Sequence, residues 1–222
     1  VDFIFARILT QRDTNTHNST QDMTIRYSTV GIVGTGAMGR GIAQIAAQAG
    51  STVQLFDLNP EACRQAHAAI AAQWDKLQDK GRIDAATADA YKTRLQTAAS
   101  LGDLHNCDLV VEAAVERLDI KQSLFAQLED IVRPDAVLVT NTSSLSVTAI
   151  AAGLKRPAQF AGYHFFNPVP LMKVVEVIAG LKTDAAVCAG LTEYARQMGH
   201  TPVQAQDTPG FIVNHAGRAY GT

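Results

Sequence analysis

Two groups of residues in this chain have the types and spacing that chemistry needs. The first is Gly34-Thr35-Gly36-Ala37-Met38-Gly39, a GxGxxG string lying between an apolar run and a small-residue segment. Gly34 would permit a tight turn, Gly36 would let the backbone approach a pyrophosphate, and Gly39 would let a helix pack closely on a strand. The N–H groups of the helix that follows, with Ala37 and Met38 in its first turn, offer a positive dipole end to phosphates. Asp57 follows Gly39 by 18 residues at the end of the next apolar run, where its carboxylate would accept hydrogen bonds from a ribose hydroxyl. The plainer use of Asp57 is as a cap for the helix after Pro60. A 2′-phosphate would be repelled by Asp57, and Leu58-Asn59 supplies no arginine, so the pattern favours NAD over NADP.

The second group suits acid–base work. Oxidising an alcohol needs a base for the hydroxyl proton while hydride leaves the same carbon, and histidine titrates near neutrality. Of six histidines, His17 lies near the start, while His67, His105 and His200 read as polar helix or loop positions. His215, beside Asn214, stays open on pattern alone. His164 differs, because it ends an apolar run and enters Phe165-Phe166-Asn167-Pro168-Val169-Pro170. Twelve residues on, Glu176 interrupts the apolar run Val174–Ile178. A buried carboxylate needs a partner; pairing with His164 would satisfy it and orient the imidazole. The local pattern fits equally a Glu176 that faces solvent from an edge strand and a His164 that is merely buried and hydrogen-bonded.

These residues need a scaffold, and the apolar periodicity supplies one. Strands are expected at Thr29–Val33, Thr52–Phe56, Asp108–Glu112 and Ala136–Thr140, and helices at Ala37–Ala49 (closed by Gly50), Pro60–Lys80, Asp84–Ala98 and Leu118–Val132. The alternation indicates an α/β fold, a doubly wound and mostly parallel sheet with helices on both faces. After Asn141 come strand candidates at Phe160–His164, Lys173–Ile178 and Pro202–Ala205, with a helix at Asp184–Met198. Pro209-Gly210 precedes a new apolar start at Phe211.

Composition narrows the class. Hydrophobic residues make up 47% and charged ones 18%, far from a disordered chain. A net charge of −2 gives no footprint for nucleic acid or an anionic membrane, and no apolar run approaches the roughly 20 residues of a membrane span. Cys63, Cys107 and Cys188 are scattered and form no CxxC, which reads as reduced thiols in a cytoplasmic protein with no metal site. Residues 1–22 differ from the rest. Val1–Leu9 is apolar but holds Asp2 and Arg7, and Thr10–Asp22 is polar. This fits neither a signal peptide nor a transit peptide. Met23 is the expected natural start, with 1–22 a disordered leader in which Asn18-Ser19-Thr20 is a chance glycosylation match. A Rossmann-type nucleotide-binding domain is then expected over 23–206, and the start of a further domain over 207–222.

Four blocks, Gly34–Ala43 with Asp57, Val110–Lys121, Asn141–Leu145 and His164–Glu176, resemble those of the L-3-hydroxyacyl-CoA dehydrogenase family. A fifth, Asp207-Thr208-Pro209-Gly210-Phe211-Ile212-Val213-Asn214, follows in the same order, and the likeness runs from about Ile25 to the end. His215-Ala216-Gly217 is most similar to the longer bacterial members. The resemblance implies a Rossmann-type domain with added antiparallel strands, followed by a helical domain that forms a homodimer and that is largely absent from these 222 residues. It implies His164 as catalytic base held by Glu176, and Ser143 on the substrate's 3-oxygen; the plainer reading of Asn141-Thr142-Ser143-Ser144 is a polar turn with no chemistry. Asn214 would position the thioester end. Glu116, Lys121 and Asn167, with Ser143, would line the nicotinamide-ribose and pyrophosphate side. Lys80 matches a lysine that binds coenzyme A phosphates, although a neighbouring position that is often serine is Gln73 here; the plainer reading of Lys80 is a solvated cation at a helix end. The implied reaction is NAD-dependent oxidation of a 3-hydroxyacyl-CoA in fatty-acid breakdown. Alternatives are a relative acting on a free hydroxy or sugar acid, or a non-catalytic NAD-binding protein akin to a lens crystallin. With the helical domain missing, the chain is expected to bind NAD but to turn over acyl-CoA poorly.

Overall fold

Apolar runs too short for a helix become strands of one sheet, and the amphipathic stretches between them become its covering helices. The structure, a computed structural model, describes residues 25–212. In chain order, β1 (Thr29–Val33) leads into α1 (Ala37–Ala49), β2 (Thr52–Phe56), α2 (Pro60–Asp79), α3 (Ala85–Arg94) and β3 (Leu95–Thr97). A 3-10 turn at Leu101–Asn106 precedes β4 (Leu109–Glu112), α4 (Leu118–Ile131), β5 (Val137–Thr140) and α5 (Val147–Ala151). The last elements are β6 (Phe160–Phe165), β7 (Val174–Ala179), α6 (Ala185–Gln197) and β8 (Thr201–Gln206).

The sheet order is β3-β2-β1-β4-β5-β6-β7-β8. Every neighbouring pair is parallel except β6 with β7, and β8 runs parallel to β7. From β1 the chain winds outward to β3, then returns to the other side of β1 at β4. That reversal opens a crevice at the carboxyl ends of β1 and β4, the place where such sheets take ligands.

Both faces are covered, so strands in the middle are apolar throughout: β4 and β5 bury every residue. On one face Ile32, Leu55 and Val111 pack with α1 and with Trp74 of α2; on the other Val33, Val110 and Leu138 pack with Phe125 and Leu128 of α4. Ends are capped as their residues suggest. Gly50 closes α1 at φ 116°, and the Asn59 side chain, not Asp57, accepts from Glu61 and Ala62 N–H at the start of α2. All three cysteines are free thiols, and burial pushes Cys107 up to about 12. Among the described residues no helix is long and apolar enough to cross a membrane.

Some elements differ from expectation. The helix expected to run to Ala98 stops at Arg94, and Leu95–Thr97 pairs with β2 as an edge strand. Leu95 is buried there and its carbonyl lies 3.1 Å from His67 Nε2, so tertiary pairing overrides a helical continuation that would leave Leu95 uncovered. His200 is not in polar surroundings. It is buried, with ring nitrogens 3.1 Å from the Met198 and Val169 carbonyls. α2 ends at Asp79, which makes Lys80 its C-cap. The short α5 is not among the expected elements, although Ser146 caps it, its hydroxyl accepting from Ala149 N–H at 3.1 Å. Its first turn is held by Asp207, whose carboxylate accepts from the Ser146 hydroxyl (2.8 Å) and from Val147 and Thr148 N–H (2.9 and 2.8 Å).

Candidate cofactor and catalytic site

The glycine turn leaves β1 and enters α1 at the crevice between β1 and β4. Gly34 has φ +95°, and a Cβ on it would come within 2.7 Å of the Ala113 carbonyl just past β4. A Cβ on Gly39 would sit 1.8 Å from the Gly34 carbonyl, so α1 could not lie this close to β1 with any other residue there. Gly36 is the opposite case. A Cβ there meets no atom within 4 Å and would project into open space. That space adjoins a cleft of about 810 Å³ lined by Gly34, Gly36, Phe56, Asp57, Leu58 and Ala113, among others. A turn that a side chain would obstruct, at a helix N-terminus beside a largely apolar cleft, fits a dinucleotide.

Asp57 lines that cleft and also builds the turn. Its Oδ2 accepts from Thr35 N–H (2.8 Å) and the Thr35 hydroxyl (2.9 Å), and its Oδ1 from Asn59 N–H (3.0 Å). Burial pushes its pKa up, but the Asn59 and Thr35 donors outweigh this and hold the carboxyl below its ordinary value. Sequence reasoning did not foresee the Thr35 contact, which ties the strand-end acid to the glycine turn itself.

A second cluster stands at the ends of β4 and β5. Lys121, from α4, is buried, and its Nζ donates to Glu112 Oε1 at 2.6 Å and lies 3.4 Å from Glu116 Oε2. Glu112 has no exposed surface; it also accepts from Ala114 N–H (2.7 Å) and, at Oε2, from the Thr140 hydroxyl (2.7 Å). Glu116 Oε1 accepts from the Thr142 hydroxyl, from Ser143 N–H (3.0 Å) and from the Ser144 hydroxyl (3.2 Å). Burial raises the Glu116 pKa, while the Thr142 hydroxyl, Lys121 and Ser143 N–H bring it below the ordinary value. The structure thus gathers Glu116, Lys121 and Ser143 at one place. Glu112 is not among the residues singled out from the sequence, although an acid in the apolar run Leu109–Glu112 carries the same signal as Glu176.

The third cluster spans β6 and β7. His164 and Glu176 face one another in the antiparallel register, with Nδ1 2.7 Å from Glu176 Oε2. Glu176 is fully buried and His164 is 5% exposed, and β8 lies outside β7, so the solvent-facing alternative for Glu176 does not hold. Glu176 Oε1 accepts from Ile212 N–H at 2.9 Å. Ring contacts to Phe166 (4.5 Å) and Phe211 (5.8 Å) flank the imidazole. A carboxylate only accepts, so Nδ1 carries the proton of that bond and Nε2 is the ring's basic nitrogen.

Asn167 follows β6 and lines a second cleft of about 390 Å³ with Ala37, Arg40, Gln44 and Gln73. Its loop is pressed on α1, where a Cβ on Gly41 would meet Val169 at 2.7 Å. Met38 packs against the core. Lys80 is exposed and lines neither cleft. Asn214 and His215 lie outside the described residues.

A family model described as "3-hydroxyacyl-CoA dehydrogenase, NAD binding domain" matches residues 29–208. The 3-hydroxyadipyl-CoA dehydrogenase of Escherichia coli K12 is 46% identical over 198 residues, covering 89% of this chain and 42% of that protein. A probable 3-hydroxybutyryl-CoA dehydrogenase of Deinococcus radiodurans is 45% identical over 187 residues, covering 83% of this chain and 66% of that protein. Among solved structures, a 3-hydroxybutyryl-CoA dehydrogenase from E. coli K12 superposes with a TM-score of 0.86 at 45% identity, over 87% of this chain and 41% of that one. An (S)-3-hydroxybutyryl-CoA dehydrogenase from Ralstonia eutropha does so with a TM-score of 0.82 at 39% identity, over 85% and 67%. The chain therefore spans between about two fifths and two thirds of the length of these four relatives. On the glycine turn, the sheet and this match together, it belongs to the family of NAD-binding domains of 3-hydroxyacyl-CoA dehydrogenases.

Proposed function

We propose that the protein carrying this chain catalyses reversible oxidation of an (S)-3-hydroxyacyl-CoA to the 3-ketoacyl-CoA with NAD. The observation that carries the reading is the buried His164–Glu176 pair, with a Nδ1–Oε2 distance of 2.7 Å, on the same sheet as a dinucleotide-type glycine turn. NAD, when bound, supplies the hydride acceptor. His164 Nε2 takes the 3-hydroxyl proton, and Glu176 holds the ring in the productive tautomer and stabilises the imidazolium that results. Ser143 hydrogen-bonds the 3-oxygen, and Glu116 fixes its backbone. Asp57 receives the adenosine ribose, while Glu116, Lys121, Ser143 and Asn167 form the nicotinamide-ribose and pyrophosphate side. Asn214 positions the thioester end and Lys80 meets coenzyme A phosphates.

A homodimer formed through a helical domain and a cytoplasmic setting in fatty-acid breakdown complete the proposal. The likeness to dehydrogenases named for acyl-CoA substrates supports it. The test is turnover by the whole protein against 3-hydroxyacyl-CoA esters and the corresponding free acids. Oxidation of the esters with NAD alone is the expected result. Equal rates on the free acids would mean that coenzyme A is not recognised, and a hydroxy-acid dehydrogenase would replace this reading.

A further inference from the structure

We propose that Glu112 is a positioning residue: through Lys121 and Glu116 it fixes the loop that carries Ser143. This rests on the reading of Ser143 as a site residue. Glu112 lies below the site and lines neither of the two clefts described above. Its carboxylate nevertheless has three donors, Lys121 Nζ and Ala114 N–H on Oε1 and the Thr140 hydroxyl on Oε2, all at 2.6–2.7 Å. An ion pair this deeply buried is weak evidence of stabilisation for its own sake, since apolar residues of similar volume do as well. Its value lies in where it holds the ammonium.

Lys121 Nζ stands between two carboxylates, 2.6 Å from Glu112 and 3.4 Å from Glu116. The shorter contact anchors the cation to the strand, and the longer one leaves Glu116 Oε1 to collect Thr142, Ser143 and Ser144. Without the Glu112 charge, the ammonium keeps one anionic partner and is drawn toward Glu116. That carboxylate is then pulled off the Thr142–Ser144 loop. The same Glu112 oxygen also holds Ala114 N–H, one of the backbone atoms that a side chain on Gly34 would strike. Glu112 therefore reaches both the serine loop and the strand end opposite the glycine turn.

The experiment uses the whole protein and compares wild type, Glu112→Gln and Thr140→Val by hydrogen exchange without cofactor and by steady-state kinetics. Loosening of a local segment shows directly in its amide exchange, so Glu112→Gln is expected to speed exchange over residues 141–146 by about tenfold. Small misplacements near reacting atoms are costly, so kcat should fall by about 10–100-fold, and the KM for NAD should rise with it because Glu116 and Lys121 move together. Thr140→Val keeps the ion pair and the shape but removes one donor from Glu112 and also the long contact from Thr142 N–H (3.3 Å), so faster exchange in it counts for Glu112 only where kcat falls too; the same changes are expected at about a third of the size. Should Glu112→Gln fail to fold, Thr140→Val decides. Unchanged exchange over 141–146 with kcat within about twofold of wild type, in whichever variant folds, overturns the proposal. A wild-type protein inactive on acyl-CoA would defeat the proposed function instead, and the exchange comparison would still judge Glu112.

Discussion

Glu112 and Glu176 are both fully buried acids in apolar strands of one sheet, three strand positions apart from β4 to β7. Each has a short contact to a nitrogen, 2.6 Å to Lys121 and 2.7 Å to His164. The difference lies in the partner. An ammonium ordinarily keeps its proton far above neutral pH, whereas an imidazole gives its proton up near neutrality. A carboxylate beside lysine can hold a shape, and a carboxylate beside histidine can also assist a proton on its way. Two acids of the same burial and nearly the same contact distance are thus suited to different work because of the chemistry of the partner.

The largest effect expected from this contrast is on turnover. Glu176→Gln or His164→Ala in the whole protein should lower kcat by about 10²–10⁴-fold, the usual scale of a lost general base, as measured with a 3-hydroxyacyl-CoA and NAD. The next is on stability, and it separates the two acids in the other direction. Glu112→Gln leaves a buried ammonium with only the longer Glu116 contact, and should cost about 3 kcal/mol in urea unfolding. Glu176→Gln leaves a ring that can be neutral, and should cost about 1 kcal/mol. Equal losses would mean that the two pairs are of one kind.

Asp57 offers an intermediate case, a half-buried acid whose donors lie in the glycine turn. Asp57→Ala should weaken NAD more than NADP and narrow the ratio of their dissociation constants, because a 2′-phosphate loses a repulsion. An unchanged ratio in titrations of both would remove its role in cofactor choice. The smallest effect belongs to Asp207, which holds α5 and enters no proposed chemistry. Burial raises its pKa, but donors at Thr148, Ser146 and Val147 bring it below the ordinary value. A depressed folded value stabilises the fold at pH above the ordinary carboxylate range, and the gain is lost as pH falls through the folded value. Asp207→Asn should therefore cost about 1 kcal/mol at neutral pH, the scale of a lost helix cap. The gap to wild type should shrink in acid, and a pH-independent gap would contradict the charge-based account.

How much of this the sequence disclosed depended on how local each feature is. The glycine turn, Gly50 and the helix start at Pro60 are set by a few neighbouring residues, and they stand where expected. β3 was hidden because three residues carry no period, and only pairing with β2 makes Leu95–Thr97 a strand. The His164–Glu176 contact was half visible. An acid in an apolar run asks for a partner, but the register that supplies His164 is a property of the sheet. The same question put to Glu112 would have led to Lys121, nine residues on. Neither the Thr35–Asp57 bond nor the Ile212–Glu176 bond could be read, since both depend on the chain returning from elsewhere.

The central claim is that His164 and Glu176 act as one unit on a 3-hydroxyacyl-CoA. Its most direct test is kcat for wild type, His164→Ala, Glu176→Gln and the double variant of the whole protein. Groups that act together are not additive, so the double variant should lose little more than His164→Ala alone. Losses that multiply would show two independent contributions and contradict the dyad.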